Sequence, residues 1–350
     1  METLIKIGEW TKRNKYEILY WLVFIILIFI MGLRDISVGT DNKVYKIIYE
    51  NIIYGKTSFR ESSVEIGFTI FCFILGKLGV GYYGFQFIVA VIVNLSFGLF
   101  IHRFSKNKFL SLFLYVVTGI YFSAFNIVRQ QLALCICLFA IYLVWTNKKM
   151  WWAYLLLVLL ASTFHLSTLI FLPLIIVFYK KFNNVHIIAL FAIATIFMAY
   201  CEPICTWLSK TFYIKYLEKY INTKYFKSGF NTRSFLLTMG YVIALVGICI
   251  YEKLCKIKID NAWSKYIYVM FVLIKYCSLF GCFSLLFSRV SSLFSFGIII
   301  LIPELIHKTN NKILRIILTV ASMVIFTVII ILQLIVFKQM DIFPYKFIFN

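Results

Sequence analysis

A few short stretches of this chain place ionisable or amide side chains beside long apolar runs. Arg34 and Asp35 follow the first run, with Asp41 close behind. Asn126, Arg129 and Gln130 stand at i, i+3 and i+4, so they share one helix face. Glu65 opens a weaker apolar run, His165 lies in Ser162-Thr163-Phe164-His165-Leu166-Ser167, and Arg289 sits among Ser284, Ser288, Ser291, Ser292 and Ser295. Charged groups in or beside membrane spans are costly and usually face a protein interior or a watery cavity. Three arginines at the depth of lipid headgroups suit a phosphate, because guanidinium binds phosphate oxygens bidentately and stays charged. Each residue also has a plainer role open to it. Arg34 can anchor a helix end, Asp41 can cap a helix, His165 can be a packed histidine, and Glu65 can pair with an arginine or with Lys77.

The elements that must hold these groups are membrane helices. Of 350 residues, 62% are hydrophobic and only 14% charged. Soluble domains carry about 45–50% apolar and about 25% charged residues. Apolar runs recur along the whole length, the longer ones sufficient to cross ~30 Å of hydrocarbon as helices. The spans expected are roughly 16–33, 83–101, 109–125, 127–145, 150–163, 166–179, 186–203, 234–251, 264–283, 287–306 and 313–337. Residues 64–80, with Glu65, Lys77 and a run of glycines, form a doubtful further one. The expectation is an all-α polytopic protein, a single membrane domain over 1–350, with about 11–12 transmembrane helices and one possible re-entrant segment.

The formal net charge of +21 resides in short connections and carries no nucleic-acid-binding motif. Basic connections at 102–108, 147–149, 180–183, 253–258 and 307–312, with the basic N-terminal tail, mark one side as cytoplasmic. Residue 34 then emerges outside and residue 102 lies inside, so an odd number of crossings joins them. A re-entrant or interfacial 64–80 satisfies this parity. Segments 34–63 and 206–233 are expected to be extracytoplasmic loops. In the first, Val44, Ile47, Ile48 and Ile52 suggest an amphipathic helix opened by Asp41 and closed by Gly55. All the polar clusters fall on that same outer side. The nine cysteines read as buried thiols, and neither His-x-x-x-His nor Asp-x-Asp suggests a metal site. No cofactor is expected.

Gly32-Leu33-Arg34 with Val38-Gly39-Thr40-Asp41 and Tyr45 resembles the start of the EpsG family of bacterial polysaccharide membrane proteins. Glu65-x-Gly67-Phe68, Arg129-Gln130-x-Leu132-Ala133 and Phe164-His165-Leu166-Ser167 followed by Leu172-Pro173 resemble its later landmarks, with Ser288-Arg289 and Pro344-Tyr345 as weaker matches. In order, these cover most of the chain. The family is similar to Wzy-type O-antigen and capsule polymerases. The resemblance implies polymerisation of undecaprenyl-pyrophosphate-linked oligosaccharide units at the outer face of the bacterial inner membrane. A flippase and a chain-length regulator would be partners beside the membrane lipids. Arg34, Arg129 and Arg289, with Asn126 and Gln130, would hold pyrophosphate, and His165, then Asp41 or Glu65, would serve as base. A transporter or flippase of the same lipid, or a membrane glycan ligase or acyltransferase, would use such residues equally well.

The charge distribution makes a topological prediction. Single cysteines at Lys56, Lys219 and Lys148 of a cysteine-free version are expected to react with an impermeant thiol reagent at the first two positions only. Labelling at position 148 alone would invert the topology.

Overall fold

The computed structural model describes residues 2–56, 64–179, 196, 200–212, 266–267, 269–270 and 285–349. These divide into two compact units, Met1–Leu172 with Ile316–Asn350, and Pro173–Arg315. The expected spans at 186–203, 234–251 and 264–283 lie largely or wholly outside the described residues, as does most of the loop 206–233.

In the first unit the helices are α1 (Glu2–Gly32), α2 (Asn42–Ile53), α3 (Ile66–Lys77), α4 (Tyr82–Phe104), α5 (Lys108–Val117), α6 (Ile120–Ser123), α7 (Val128–Thr146) and α8 (Trp151–Ser162). A 3-10 segment, Leu166–Phe171, follows α8. The second unit includes α9 (Ile176–Tyr179), α10 (Cys201–Phe212), α11 (Leu285–Leu293) and α12 (Phe296–Lys308). α13 (Lys312–Ile331) runs on into a π-helical turn, Leu332–Val336, and a tail. Among the described residues, four stretches are long and apolar enough to cross a bilayer: Asn14–Gly32, Tyr82–Phe104, Val128–Thr146 and Lys312–Val336. The protein is therefore an all-α, polytopic membrane protein.

α1 and α4 run antiparallel. Glu17, early in α1, binds His102 near the end of α4 at 2.8 Å, while Gln86, early in α4, donates to the Gly32 and Arg34 carbonyls at 3.0 and 2.8 Å. Midway, the Tyr20 hydroxyl donates to the Gly98 carbonyl at 2.7 Å. α7 lies parallel to α4, with Phe104 against Tyr142 and Trp145. Asn94, fully buried between these helices, accepts from the Tyr115 hydroxyl and donates to the Ala90 carbonyl. Such bonds satisfy polar groups that hydrocarbon would leave stranded.

Several expected spans take a different form. Residues 109–125 do not make one helix: the chain turns at Gly119, φ +82°, between α5 and α6. The 166–179 run is a series of 3-10 and short helical turns, because Leu172-Pro173 interrupts regular bonding. Residues 287–306 break between α11 and α12 around Phe294 and Ser295. At 12 residues α3 is about 18 Å long, well short of ~30 Å of hydrocarbon. Together α2 and α3 form an excursion that leaves the end of α1 and returns beside it to start α4. The Tyr49 hydroxyl binds the Val80 carbonyl, and the Tyr82 hydroxyl binds that of Asn42.

α2 forms where expected. Asn42, Tyr45, Tyr49 and Ile52 face the protein, whereas Val44 and Ile47 are exposed. Tyrosine rings fill the contact with α3 and α4 while the Tyr49 hydroxyl still reaches a backbone acceptor, which an aliphatic side chain could not do. Asp41 occupies the N-cap position without a side-chain capping bond.

The C-terminal tail is stitched to the start of the 34–41 loop. Asp35 N–H donates to the Lys346 carbonyl, Ile348 N–H to that of Leu33, and Gly39 N–H to that of Asp341. Tyr345 hydroxyl donates to the Ile30 carbonyl. Asn126 clasps both pieces: its amide donates to the Met340 carbonyl at 3.1 Å, and its oxygen accepts from Asp41 N–H at 3.5 Å. Asn126→Ala removes both contacts and takes the donor from the part-buried Met340 carbonyl. It is expected to cost about 1–3 kcal/mol of stability and to speed tryptic cleavage at the exposed Lys338 and Lys346, read by limited proteolysis in detergent.

Candidate functional site

Three of the expected residues meet. Arg129 Nη1 binds Glu65 Oε2, and His165 Nδ1 lies 3.3 Å from Glu65 Oε1. The side chains are largely enclosed, with 9% exposure for Glu65, 18% for Arg129 and 14% for His165. One carboxylate oxygen thus binds a guanidinium, and the other lies against an imidazole nitrogen. Tyr45 stands beside Arg129; burial pushes its hydroxyl pKa up, against the pull of the guanidinium.

Each member is positioned by a helix end. Glu65 is the residue before α3, Arg129 lies in the first turn of α7, and His165 follows α8 in extended backbone, φ −157°. α3 and the end of α8 touch without an intervening side chain. A Cβ on Gly67 would fall 2.2 Å from Thr163 Oγ1, and Gly67 N–H donates to the Thr163 carbonyl at 2.8 Å. Glu65 and His165 each lie two residues from that junction, on opposite sides of it. Phe71 packs on Phe164, and Tyr45 on Phe68, closing the apolar surround. The His165 carbonyl accepts from Thr168 hydroxyl at 2.8 Å, which fixes the backbone around the ring.

Burial alone would raise the Glu65 pKa, but the bond to His165 and the Arg129 charge outweigh it and hold the carboxyl at about 2. A carboxylate that weakly basic is poorly suited to take a proton from a hydroxyl. In this paired state Glu65 is an anion held between its two neighbours.

The other expected residues are placed differently. Arg34 is fully buried: its guanidinium donates to the Met31 carbonyl and to that of Phe125 at 3.4 Å, and lies 4.7 Å over the Phe125 ring. Burial lowers its pKa to about 10, opposed by Tyr82, Tyr345 and Tyr121, so it remains a cation at neutral pH. These contacts commit Arg34 to the junction of α1, α6 and the tail, rather than to an open phosphate site. Asn126 serves that same junction, and the half-exposed Asp41 borders it through Asn126. Gln130 is buried beside Arg129 in α7. Arg289 lies half-buried on α11 in the second unit, its carbonyl accepting from Ser292 hydroxyl.

Thr163 and Tyr45 complete the site without having been singled out for it. Their signal was indirect: Gly67 follows Glu65 by two residues, and Tyr45 lies one helical turn after Asp41.

The ion pair makes stability depend on pH in a defined direction. The folded carboxyl titrates at about 2 against an ordinary 4.5, so its contribution is complete above pH 4.5 and disappears as pH falls through about 2. The difference in detergent melting temperature between wild type and Glu65→Gln is expected to be widest near neutrality and to shrink across that window. A difference independent of pH would remove the charged pair from the account.

No curated protein and no solved structure matches the chain. Residues 17–347, nearly its whole length, match the EpsG family, and membership of that family fits a polysaccharide polymerase-like role. The enclosed triad occupies three of the segments whose resemblance to that family is legible in the sequence, and the chain belongs to the EpsG family.

Proposed function

We propose that this protein is a metal-independent glycosyltransferase of the bacterial cytoplasmic membrane. It joins undecaprenyl-pyrophosphate-linked oligosaccharide units into a longer glycan at the outer face. The single observation that carries this reading is the convergence of Glu65, Arg129 and His165 at one end of the helices, in a chain of the EpsG family.

In this mechanism Arg129 receives the pyrophosphate. It sits in the first turn of the 19-residue helix α7, where the helix dipole also favours an anion. Pyrophosphate carries more negative charge than one carboxylate, so it draws the guanidinium from Glu65 as it enters. Glu65 is then left with His165. Its contact with Nδ1 turns the other ring nitrogen, Nε2, towards the acceptor sugar. Nε2 takes the proton from the attacking hydroxyl as that oxygen bonds to the anomeric carbon. The bond from that carbon to pyrophosphate breaks, and the lipid leaves with both phosphates. Glu65 stabilises the imidazolium, as the carboxylate does in other histidine–carboxylate pairs. Arg289 is a second pyrophosphate-holding cation in this reading. Asp41 is the alternative base, to be tested if His165 is dispensable.

Deletion of the gene is expected to abolish long surface glycan on gels while single-unit-capped lipid persists. Transport of the lipid-linked unit by the protein without chain growth would instead identify a flippase. Arg129→Ala is expected to lower the polymerisation rate about 10²–10³-fold. Arg129→Lys keeps the charge but loses the planar fork, and should recover only part of that rate; the same pair at Arg289 separates phosphate holding from membrane anchoring. His165→Gln should stop chain growth with protein level and lipid-linked substrate binding preserved. Full-length glycan in that variant would exclude His165 as base.

A further inference from the structure

The other end of the first unit holds a cavity that the mechanism does not use. There α4 and α7 line a cleft of about 500 Å³, within the ~300–1,000 Å³ typical of ligand sites. Two stripes at helical spacing face each other across it: Ser96, Phe100 and Arg103 from α4, and Cys135, Leu138 and Tyr142 from α7. Its side walls, Leu99 and Phe139, are 60% and 52% exposed, so the cleft opens sideways from apolar helix surface. Cys135 is buried and meets Ser96 across the floor.

The mouth is basic. Arg103 lines it and is exposed, and Lys106 follows immediately on the same exposed connection. Lys148 and Lys149, after α7, lie exposed at this same end. The nearby carboxylate, Glu17, is engaged by His102 at 2.8 Å and Lys108 at 2.6 Å, so it does not neutralise Arg103. An apolar slot opening laterally in a membrane helix pair, with cations one turn beyond it, matches an amphiphile whose chain is apolar and whose head is anionic.

We propose that this cleft is a binding site for an anionic glycerophospholipid. One acyl chain lies between Phe100 and Phe139, and the headgroup phosphate meets Arg103, with Lys106 adding charge. The site stands at the end of the bundle opposite Glu65, Arg129 and His165, and is independent of the reaction proposed there.

The test is native mass spectrometry of the purified full chain, offered equal phosphatidylglycerol and phosphatidylcholine of identical acyl composition. Wild type is expected to retain phosphatidylglycerol in preference. Arg103→Ala should reduce that retention about fivefold and leave phosphatidylcholine unchanged. Ser96→Trp, which fills the floor, should reduce both lipids. Equal retention of the two lipids by wild type, or unaltered retention by Arg103→Ala, would overturn the proposal whether or not Ser96→Trp folds. Displacement of the lipid by free glycerol 3-phosphate at equal concentration would overturn it as well, since the headgroup alone would then be what is recognised.

Discussion

Enclosed among aromatic rings, the Glu65 carboxylate and the Arg129 guanidinium offset each other's charge. Either alone would carry a desolvation cost of several kcal/mol. The Glu65–Arg129 pair therefore constrains everything around it. It demands that the start of α3 reach the start of α7, and that something occupy the second carboxylate oxygen. His165 does so, and α8 must end where it does for the ring to arrive. The close contact of Gly67 with Thr163 is the geometric condition for that arrival.

The same constraint explains why α2 and α3 are short. A full span between α1 and α4 would carry the chain across the bilayer and place Glu65 or the start of α4 at the wrong end. The excursion instead keeps Glu65 level with the starts of α4 and α7. Tyrosines do much of the fastening, because a ring can fill apolar space while its hydroxyl reaches a carbonyl several ångströms away. Tyr49 and Tyr82 behave this way in the excursion, and Tyr345 does so where the tail returns to α1.

The first unit is chemically polarised along its helices. One end gathers the enclosed triad, the buried Arg34 junction and the tail. The other gathers His102, Arg103, Lys106, Lys108, Lys148 and Lys149 around α1, α4 and the turn after α7. At the first end, charge is buried and held, by an ion pair at Glu65–Arg129 and by backbone carbonyls at Arg34. At the second it is largely exposed, which suits an anionic lipid surface.

Much of this was present in the amino-acid sequence. Hydropathy alone determined an all-α membrane protein, since apolar runs of this length have no other way to satisfy their backbone. The basic connections determined which helix ends share a side, and short motifs marked Glu65, Arg129 and His165 as worth attention. Only the tertiary structure decided that these three touch, that Arg34 belongs to a different and buried junction, and that the tail packs on the loop after α1. It also decided that α2 turns Tyr45 and Tyr49 inward. The reason is physical: hydropathy and charge are properties of a segment and its solvent, legible one residue at a time. Pairing between residues 65, 129 and 165 depends on the distances left after all the helices have packed, and no local pattern records those distances.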